Sequence, residues 1–462
     1  MRMTTATAML LSVSSRSLCS GFILKPRSSS LKSLSTTARH VLSPRLVGLD
    51  KPTVWHEFSP LANEHKAVNL GQGFPDWSPP DFCVEALQAS VTTRNANQYA
   101  RSYAHMPLAQ VLAKEYTDRW GIHIDPTTMV GTAVGCTNAL YCALQGLVSP
   151  GDQVLLLEPA FDIYHAQVKM AGGVPIYVPL RPTGTGGASE VFQLDMKELE
   201  AAITPKTRVL LINTPHNPTG KMFSKTELTQ IGEIVLRHPH VTIISDEVYE
   251  HIIYEPETQP HISIASLPGM FDRTLTLSSS GKTFSCTGWK VGWAVGPPNL
   301  VHAMTAVQQW CNFSAPTPNQ DAMAQSLERA REPYLGFDTY YAWLASDYKR
   351  KRSLLLSALE HAGMNPICPP GGFFIMADTS HIEFPYDVTE VTTAMPANPM
   401  PRDWSMSRWM TKTVGVTAIP PSAFFSQENI PLAKNLLRFA FCKGDDTLLE
   451  AHKRLDAYFN PK

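Results

Sequence analysis

The sequence predicts an α/β fold: a mostly parallel sheet in a large domain with helices on both faces, followed by a smaller α+β domain. Three observations lead there. Apolar, β-rich runs at 130–134, 153–157, 208–212, 241–245 and 275–277 are separated by stretches of helical periodicity, the alternation that builds parallel sheets. Several of these runs end in small, polar or turn-forming residues rather than in further apolar chain. The chain has 462 residues, 44% of them hydrophobic, enough for two domains and a large core.

The totals exclude other classes. A net charge of -1 argues against a general nucleic-acid or membrane-surface binder. Only 17% of residues are charged and there are 37 prolines, so long coiled coils are not expected. No apolar run reaches the roughly 18 residues of a membrane span. The eight cysteines have neither CxxC nor zinc spacing and read as scattered reduced thiols.

Residues 1–48 differ in kind. Arg2, Arg16, Lys25, Arg27, Lys32, Arg39 and Arg45 are cationic, serine is dense, and no acid occurs before Asp50. That is the composition of an organelle transit peptide; a secretory signal needs an uninterrupted apolar core of about 7–15 residues. Import into the mitochondrial matrix is the expectation.

The remaining segments follow in order. Asn69-Leu70-Gly71-Gln72-Gly73-Phe74-Pro75 is a loop whose backbone can approach a ligand closely; with two glycines and no preceding βαβ strand it is not a dinucleotide fingerprint. A helix is expected over 108–120. The strand 130–134 runs through Gly135-Cys136-Thr137-Asn138 into a helix to Leu147, and a helix N-terminus after a small-residue turn can cradle an anion. Phe161 lies just past the strand 153–157, where open α/β sheets bind ligands. Asn213-Thr214-Pro215-His216-Asn217-Pro218-Thr219-Gly220 is a rigid turn after a strand. Asp246 and Glu247 end the strand 241–245, and a buried carboxylate is costly unless paired.

In Ser278-Ser279-Ser280-Gly281-Lys282-Thr283-Phe284-Ser285 a lysine follows a buried strand. Burial lowers an ammonium's pKa and makes the amine a nucleophile suited to Schiff-base chemistry. Lys290 lies eight residues on and supplies charge for a phosphate. Helical periodicity returns at 304–310, 320–327 and 340–359, and short apolar strands at 373–376 and 437–441. Residues 381–403 read as a Pro- and Thr-rich surface insertion. Arg438 stands in an apolar strand, where a guanidinium wants a carboxylate, either a structural partner or the α-carboxylate of a substrate.

Gly281-Lys282-Thr283-Phe284-Ser285, followed by Thr287-Gly288-Trp289-Lys290-Val291-Gly292-Trp293, resembles the cofactor-lysine motif of fold-type I pyridoxal-phosphate-dependent aminotransferases. It looks most like the branch of kynurenine aminotransferase, glutamine transaminase K and cysteine-S-conjugate β-lyase. The other motifs agree in order and spacing from about Trp55 to the C-terminus. The resemblance implies that Lys282 carries pyridoxal 5'-phosphate and is the catalytic base. It implies phosphate contacts from Cys136, Thr137, Ser279 and Lys290, and from Tyr99 of the other subunit of a homodimer with shared sites. Phe161 would stack on the pyridine ring, Asn217 and Tyr249 would bind its phenolic oxygen, and Asp246, rather than Glu247, would pair with its nitrogen. Arg438, the Gly73 N–H and Asn217 would hold the substrate, with Trp55 and Phe313 around its side chain. Thr137 stands where this branch often has tyrosine, and no glycine precedes Pro107.

The expected organisation is a leader at 1–48, a segment at 49–84 that joins the small domain, a large cofactor domain at 85–330 and a small domain at 331–462. The expected reaction is transamination of kynurenine, glutamine or other large apolar or aromatic amino acids with a 2-oxo acid acceptor. β-Elimination from cysteine conjugates is the side reaction, or the main one in an alternative reading. A non-catalytic regulator on the same fold is disfavoured by the intact residue set and by the lack of an appended DNA-binding motif. No nucleic acid, metal or membrane span is expected.

Overall fold

Among the described residues there are thirteen strands: β1 Val68–Asn69, β2 Val130–Val134, β3 Gln153–Glu158, β4 Val174–Pro182, β5 Phe192–Leu194, β6 Thr207–Asn213, β7 Thr242–Asp246, β8 Thr274–Ser279, β9 Val291–Val295, β10 Asn365–Ile367, β11 Phe374–Asp378, β12 Val416–Thr417 and β13 Leu436–Ala440. The computed structural model describes residues 42–183, 186–386, 389–396 and 399–461. Up to residue 41, the expected leader lies outside the described residues. From Pro44 onward the chain forms one compact unit.

Eight strands form the central sheet, in the order β2-β9-β8-β7-β6-β3-β4-β5. The five from β8 to β4 are parallel. β9 runs antiparallel between β2 and β8, and β5 closes the other edge antiparallel to β4. The inner strands are buried along nearly their whole length, which is why they read as apolar runs and not as alternating patterns. Their side chains still alternate between faces. Leu155, Leu157, Leu210, Ile212 and Ile243 enter one core. Val154, Leu156, Val209, Leu211, Ile244, Leu275 and Leu277 enter the other.

Three strands of this sheet, β4, β5 and β9, escape a reading of the sequence. β4 contains Pro175, Pro179 and Pro182, which read as strand breakers; it lies next to the edge of the sheet, beside the three-residue β5. β9 is concealed within the lysine motif itself.

A second, antiparallel sheet, β10-β11-β13, and the short parallel pair β1-β12 lie apart from the central sheet. The main chain of Arg438 in β13 also exchanges two hydrogen bonds with Ile419, each 3.0 Å. Ala440 donates to the Leu70 carbonyl at 2.7 Å, which brings the glycine loop after β1 to the edge of β13. Among the described residues, no helix is long and apolar enough to cross a membrane.

The insertion at 381–403 is not merely a surface feature. Met395 and Met400 are buried with Val54, Phe58 and Trp404. Thr392 donates to Glu57 at 2.6 Å, Trp404 donates to the same carboxylate at 3.2 Å, and Arg408 pairs with Glu57 and Glu390. Its methionines bury area that a count of Pro and Thr overlooks.

Candidate active site

The first five helices are α1 Val54–Glu64, α2 Asp81–Thr92, α3 Met106–Trp120, α4 Cys136–Leu147 and α5 Asp162–Met170, and of these α1, α4 and α5 carry site residues. A cavity of about 310 Å³ opens at the carboxyl ends of β3, β6, β7 and β8, between the central sheet and β13. This is where an open α/β sheet leaves room for a ligand. Trp55, Gly73, Cys136, Thr137, Phe161, Asn217, Asp246, Tyr249, Ser279, Lys282, Lys290 and Arg438 all line it, and these are the positions singled out in the sequence, except Tyr99 and Phe313.

Lys282 sits in a single helical turn, Ser280–Thr283, directly after β8. Its Nζ donates to the Gly73 carbonyl at 3.0 Å and lies 5.6 Å from the Phe373 ring centre and 6.0 Å from that of Tyr249. Burial depresses its pKa, opposed by the nearby Cys442 and Asp246. A depressed ammonium releases a free amine at lower pH, the requirement for a nucleophile or base. The Lys282 contact engages the Gly73 carbonyl, separate from its N–H, the group expected to meet the substrate. A Cβ at Gly73 would fall 2.5 Å from the Phe374 ring, so only glycine fits.

Asp246 is the last residue of β7 and is buried. It accepts from the Tyr164 hydroxyl at 2.7 Å, the Val248 N–H at 3.3 Å and the Cys136 thiol at 3.7 Å. Among the described residues no cation lies within ion-pairing distance of it. Burial raises its pKa despite these neutral donors. A buried carboxylate that faces a cavity and has no ion-pair partner among the described residues is suited to a cationic N–H from a ligand. Glu247 points elsewhere, accepting from Ser245 and Ser263 at 2.7 and 2.9 Å and lying 2.9 Å from His261. Asn213 braces the site. Its Nδ2 donates to the Asp246 carbonyl at 2.9 Å, and its Oδ1 accepts from the Asn217 N–H at 2.7 Å.

The anion cradle lies at the start of α4. Gly135 has φ +80° and caps the helix; a Cβ there would sit 3.1 Å from the Lys290 Nζ. In the first turn of a helix, the N–H groups of Cys136 and Thr137 have no intrahelical partner. With Lys290 and Ser279 they form a phosphate-sized set of donors. Gly292 of β9 permits this packing, since a Cβ there would meet the Gly135 carbonyl carbon at 2.3 Å.

Arg438 is 1% exposed. Its Nη1 donates to the Asn217 Oδ1 at 3.1 Å and its Nη2 to the Gly71 carbonyl at 2.6 Å. Its Nε is buried without a partner. Aromatic rings surround it: Phe374, Phe424 and Trp55, with centres 4.3, 5.0 and 5.4 Å from its Cζ. Among the described residues it has no salt-bridge partner. Burial pulls its pKa down to about 10. The structural ion pair left open by the sequence is therefore not present among the described residues, and the guanidinium faces the cavity.

Tyr99 and Phe313 do not line this cavity. They stack edge to face with ring centres 5.0 Å apart, and they are 84% and 50% exposed. Phe313, expected around the substrate side chain, therefore lies outside the cavity formed by this chain. The helix Pro298–Asn312 ends there and Phe313 takes φ +63°, which turns the ring outward. Sequence reasoning missed Tyr164, the hydroxyl partner of Asp246, although it stands three residues after Phe161. It also missed Phe374 and Phe424, which carry no motif and reach Arg438 only through folding.

The chain has extensive likeness to known proteins. The sequence pattern of the family aminotransferase class I and II matches residues 65–454. A kynurenine–oxoglutarate transaminase of Dictyostelium discoideum is 42% identical over 413 residues, covering 87% of this chain and 93% of that protein. Kynurenine–oxoglutarate transaminase 1 of Mus musculus is 41% identical, covering 90% and 98%. The crystal structure of Bna3p from Saccharomyces cerevisiae superposes with a TM-score of 0.84 at 32% identity, covering 91% of this chain and 99% of that one. YbdL from Escherichia coli, with a methionine aminotransferase function, gives 0.79 at 32%, covering 90% and 99%. The lysine after a buried strand, the buried carboxylate and the buried guanidinium share one cavity, and this chain belongs to the aminotransferase class I and II family.

Proposed function

We propose that this protein is a pyridoxal-phosphate-dependent transaminase whose amino donors include kynurenine and whose acceptor is a 2-oxo acid. The observation that carries the reading is Arg438, a buried guanidinium with an unpartnered Nε, opening on the same cavity as Lys282 and Asp246. The relatives' transamination of kynurenine supports the choice of donor.

The residues present fit pyridoxal phosphate. The donors of Cys136, Thr137, Ser279 and Lys290 suit its phosphate, Phe161 its ring, Asn217 and Tyr249 its phenolic oxygen, Asp246 its nitrogen and Lys282 its aldehyde carbon. Bound there, the group supplies an electron sink conjugated to the substrate's α-carbon. Arg438 grips the α-carboxylate with the guanidinium edge that Asn217 and Gly71 leave free. Lys282 would hold the group through its amine and, when that amine is free, would take the proton from the substrate's α-carbon and return it two bonds away, at the carbon the lysine had held. The Gly73 carbonyl orients that amine. Trp55, Phe374 and Phe424 form an apolar wall suited to an aromatic side chain.

The protein acts as a homodimer. Exposed Tyr99 and Phe313, stacked edge to face, form an aromatic pair that a second copy covers, and from there Tyr99 reaches the partner's phosphate site. Sedimentation of wild type and Tyr99→Ala tests this. A monomeric wild type sinks it. Residues 1–48 direct the protein to the mitochondrial matrix. Their fusion to a fluorescent protein tests this, and a diffuse cytosolic signal argues against it.

The deciding experiment is spectroscopic. The purified chain from about residue 49, loaded with cofactor, should lose the visible band of the lysine-linked form when kynurenine is added without an oxo acid. Adding a 2-oxo acid should restore the band. Lys282→Ala should lack both the band and turnover. A loaded protein that ignores kynurenine but responds to glutamine moves the donor. A protein that acquires no chromophore refutes the reading.

A further inference from the structure

Trp55 and Asp162 meet across 107 residues of sequence. The indole Nε1–H donates to the Asp162 Oδ2 at 2.9 Å. Trp55 is the second residue of α1, and α1 is otherwise packed through Val54 and Phe58 against Met395, Met400 and Trp404. Asp162 is the first residue of α5, next to Phe161 at the end of β3. The hydrogen bond therefore ties the wall of the substrate cavity to the platform under the cofactor.

The tie has a definite consequence for Arg438. The Trp55 ring lies 5.4 Å from the guanidinium carbon and 6.3 Å from the Phe424 ring. A guanidinium is attracted by aromatic faces and loses little hydration against them. Three rings thus fix its plane, while Asn217 and Gly71 fix two of its nitrogens. Phe374 and Phe424 are buried and held by packing. Trp55 is half-buried and could swing away, and its indole N–H bond to Asp162 opposes that. Asp162 also lies close enough to Arg438 for each to stabilise the other's charge, although no direct contact joins them. Its second oxygen, Oδ1, is buried without a partner, so the side chain is not simply a saturated structural cap.

We propose that Asp162 is a positioning residue for the substrate carboxylate: by accepting from the Trp55 indole, it holds that ring against Arg438 and keeps the guanidinium aimed into the cavity. The proposal rests on the transaminase reading for the identity of the substrate, but not for the geometry.

The test uses the cofactor-loaded chain with Asp162→Ala, Asp162→Asn, Trp55→Phe and the Asp162→Ala/Trp55→Phe double variant. Two quantities are measured: KM and kcat for kynurenine, and the calorimetric Kd for 3-phenylpropanoate, a carboxylate with an aromatic tail and no amine. Losing one such bond corresponds to about three- to tenfold. Asp162→Ala should weaken both KM and Kd by about that factor, with a smaller change in kcat. Asp162→Asn keeps an acceptor oxygen and should stay within about twofold of wild type. Trp55→Phe keeps a ring without the N–H and should match Asp162→Ala. The double variant should be no worse than either single one, because one interaction is removed in all three. Wild-type affinity in Asp162→Ala, or additive losses in the double variant, overturns the proposal. If Asp162→Ala does not fold, Trp55→Phe decides alone, and unchanged affinity there overturns it. A wild type that fails to turn over kynurenine but binds 3-phenylpropanoate refutes only the transaminase reading. One that binds neither removes both.

Discussion

Arg438 Nη1 and Asn217 Oδ1 lie 3.1 Å apart, joining β13 to the turn after β6. The bond turns the Asn217 amide so that its oxygen is engaged and its NH₂ group is left toward the cavity. One contact therefore orients both the carboxylate anchor and the residue that suits the cofactor's phenolic oxygen. Five planar donors make this possible, since Arg438 can serve Asn217, Gly71 and a ligand together.

Arg438→Lys tests that division of labour. A lysine keeps the charge but is a compact point donor on a flexible stem, unable to serve three directions in fixed geometry. A charge-assisted hydrogen bond contributes about 1.5–3 kcal/mol, so kcat/KM for an amino acid should fall about 10- to 100-fold. Saturating cofactor should not restore it, because the loss is in substrate binding. Steady-state kinetics with kynurenine and with a simple amine lacking the carboxylate separate the two: the amine should lose little.

Gly292→Ala probes the cradle from behind. The new methyl would meet the Gly135 carbonyl carbon at 2.3 Å and the Cys136 nitrogen at 2.4 Å. Both are backbone atoms and cannot swing aside, so the start of α4 must move. Overpacking of this kind costs about 1–3 kcal/mol of stability. The displaced N–H groups of Cys136 and Thr137 should weaken affinity for pyridoxal phosphate by about tenfold or more. Denaturant titration and fluorescence titration with the cofactor read the two effects, and unchanged affinity would count against the cradle.

The site was legible in the sequence where chemistry is local. Lys282 after a buried strand, Asp246 at a strand end and Asn217 in a proline-rich turn each sit in a short segment whose residues are odd choices for mere structure. Arg438 was legible because a guanidinium in an apolar strand demands a partner. Tyr164, Phe374 and Phe424 were not. They are ordinary aromatic residues, and their role comes from β13 and the segment before it folding against the central sheet. The direction of Phe313 depends on a single positive φ at a helix end, which composition does not encode. β9 was missed because its glycine and tryptophan read as a continuation of the motif, although its antiparallel pairing with β2 and β8 brings Gly292 under α4.

Glu250 supports the site from below. It accepts from Ser278 at 2.6 Å, Tyr116 at 3.0 Å and Arg119 at 2.6 Å, and Trp293 donates to the Tyr116 hydroxyl at 3.0 Å. Burial pushes the carboxyl up, but Arg119 and His251 outweigh it and hold it down to about 2. A depressed carboxyl contributes stability above its unfolded value of about 4.3 and loses it as pH falls toward 2. Glu250→Gln should therefore cost about 3 kcal/mol near neutral pH, the low end for breaking a buried pair because Arg119 is partly exposed. The gap from wild type should shrink below about pH 4.5. Urea denaturation of both proteins at pH 7 and at pH 3.5 measures it, and a gap independent of pH would exclude the ionic contribution.

Asp403 has the opposite sign. It is 1% exposed, its Oδ2 accepts from the Ser422 N–H at 2.7 Å and its Oδ1 is buried without a partner. Burial outweighs these donors and raises its pKa from 3.8 to about 7. The folded state therefore binds a proton that the unfolded chain has released between those values. Its stabilising contribution is complete below about pH 4 and is lost as pH rises through 7. At about 1.4 kcal/mol per pH unit, the loss is on the order of 4 kcal/mol. Asp403→Asn keeps an oxygen for the Ser422 N–H and cannot ionise. Its stability relative to wild type should rise steadily from pH 4 to pH 7 and level off near pH 8. Ser422 is the second residue of the short helical turn Pro421–Phe424, and Phe424 lies 5.0 Å from the Arg438 guanidinium. The same ionisation should therefore loosen the aromatic wall, raising KM for kynurenine above about pH 7 in wild type and leaving it flat in Asp403→Asn. Parallel KM profiles in the two proteins would separate Asp403 from the substrate site and confine its effect to stability.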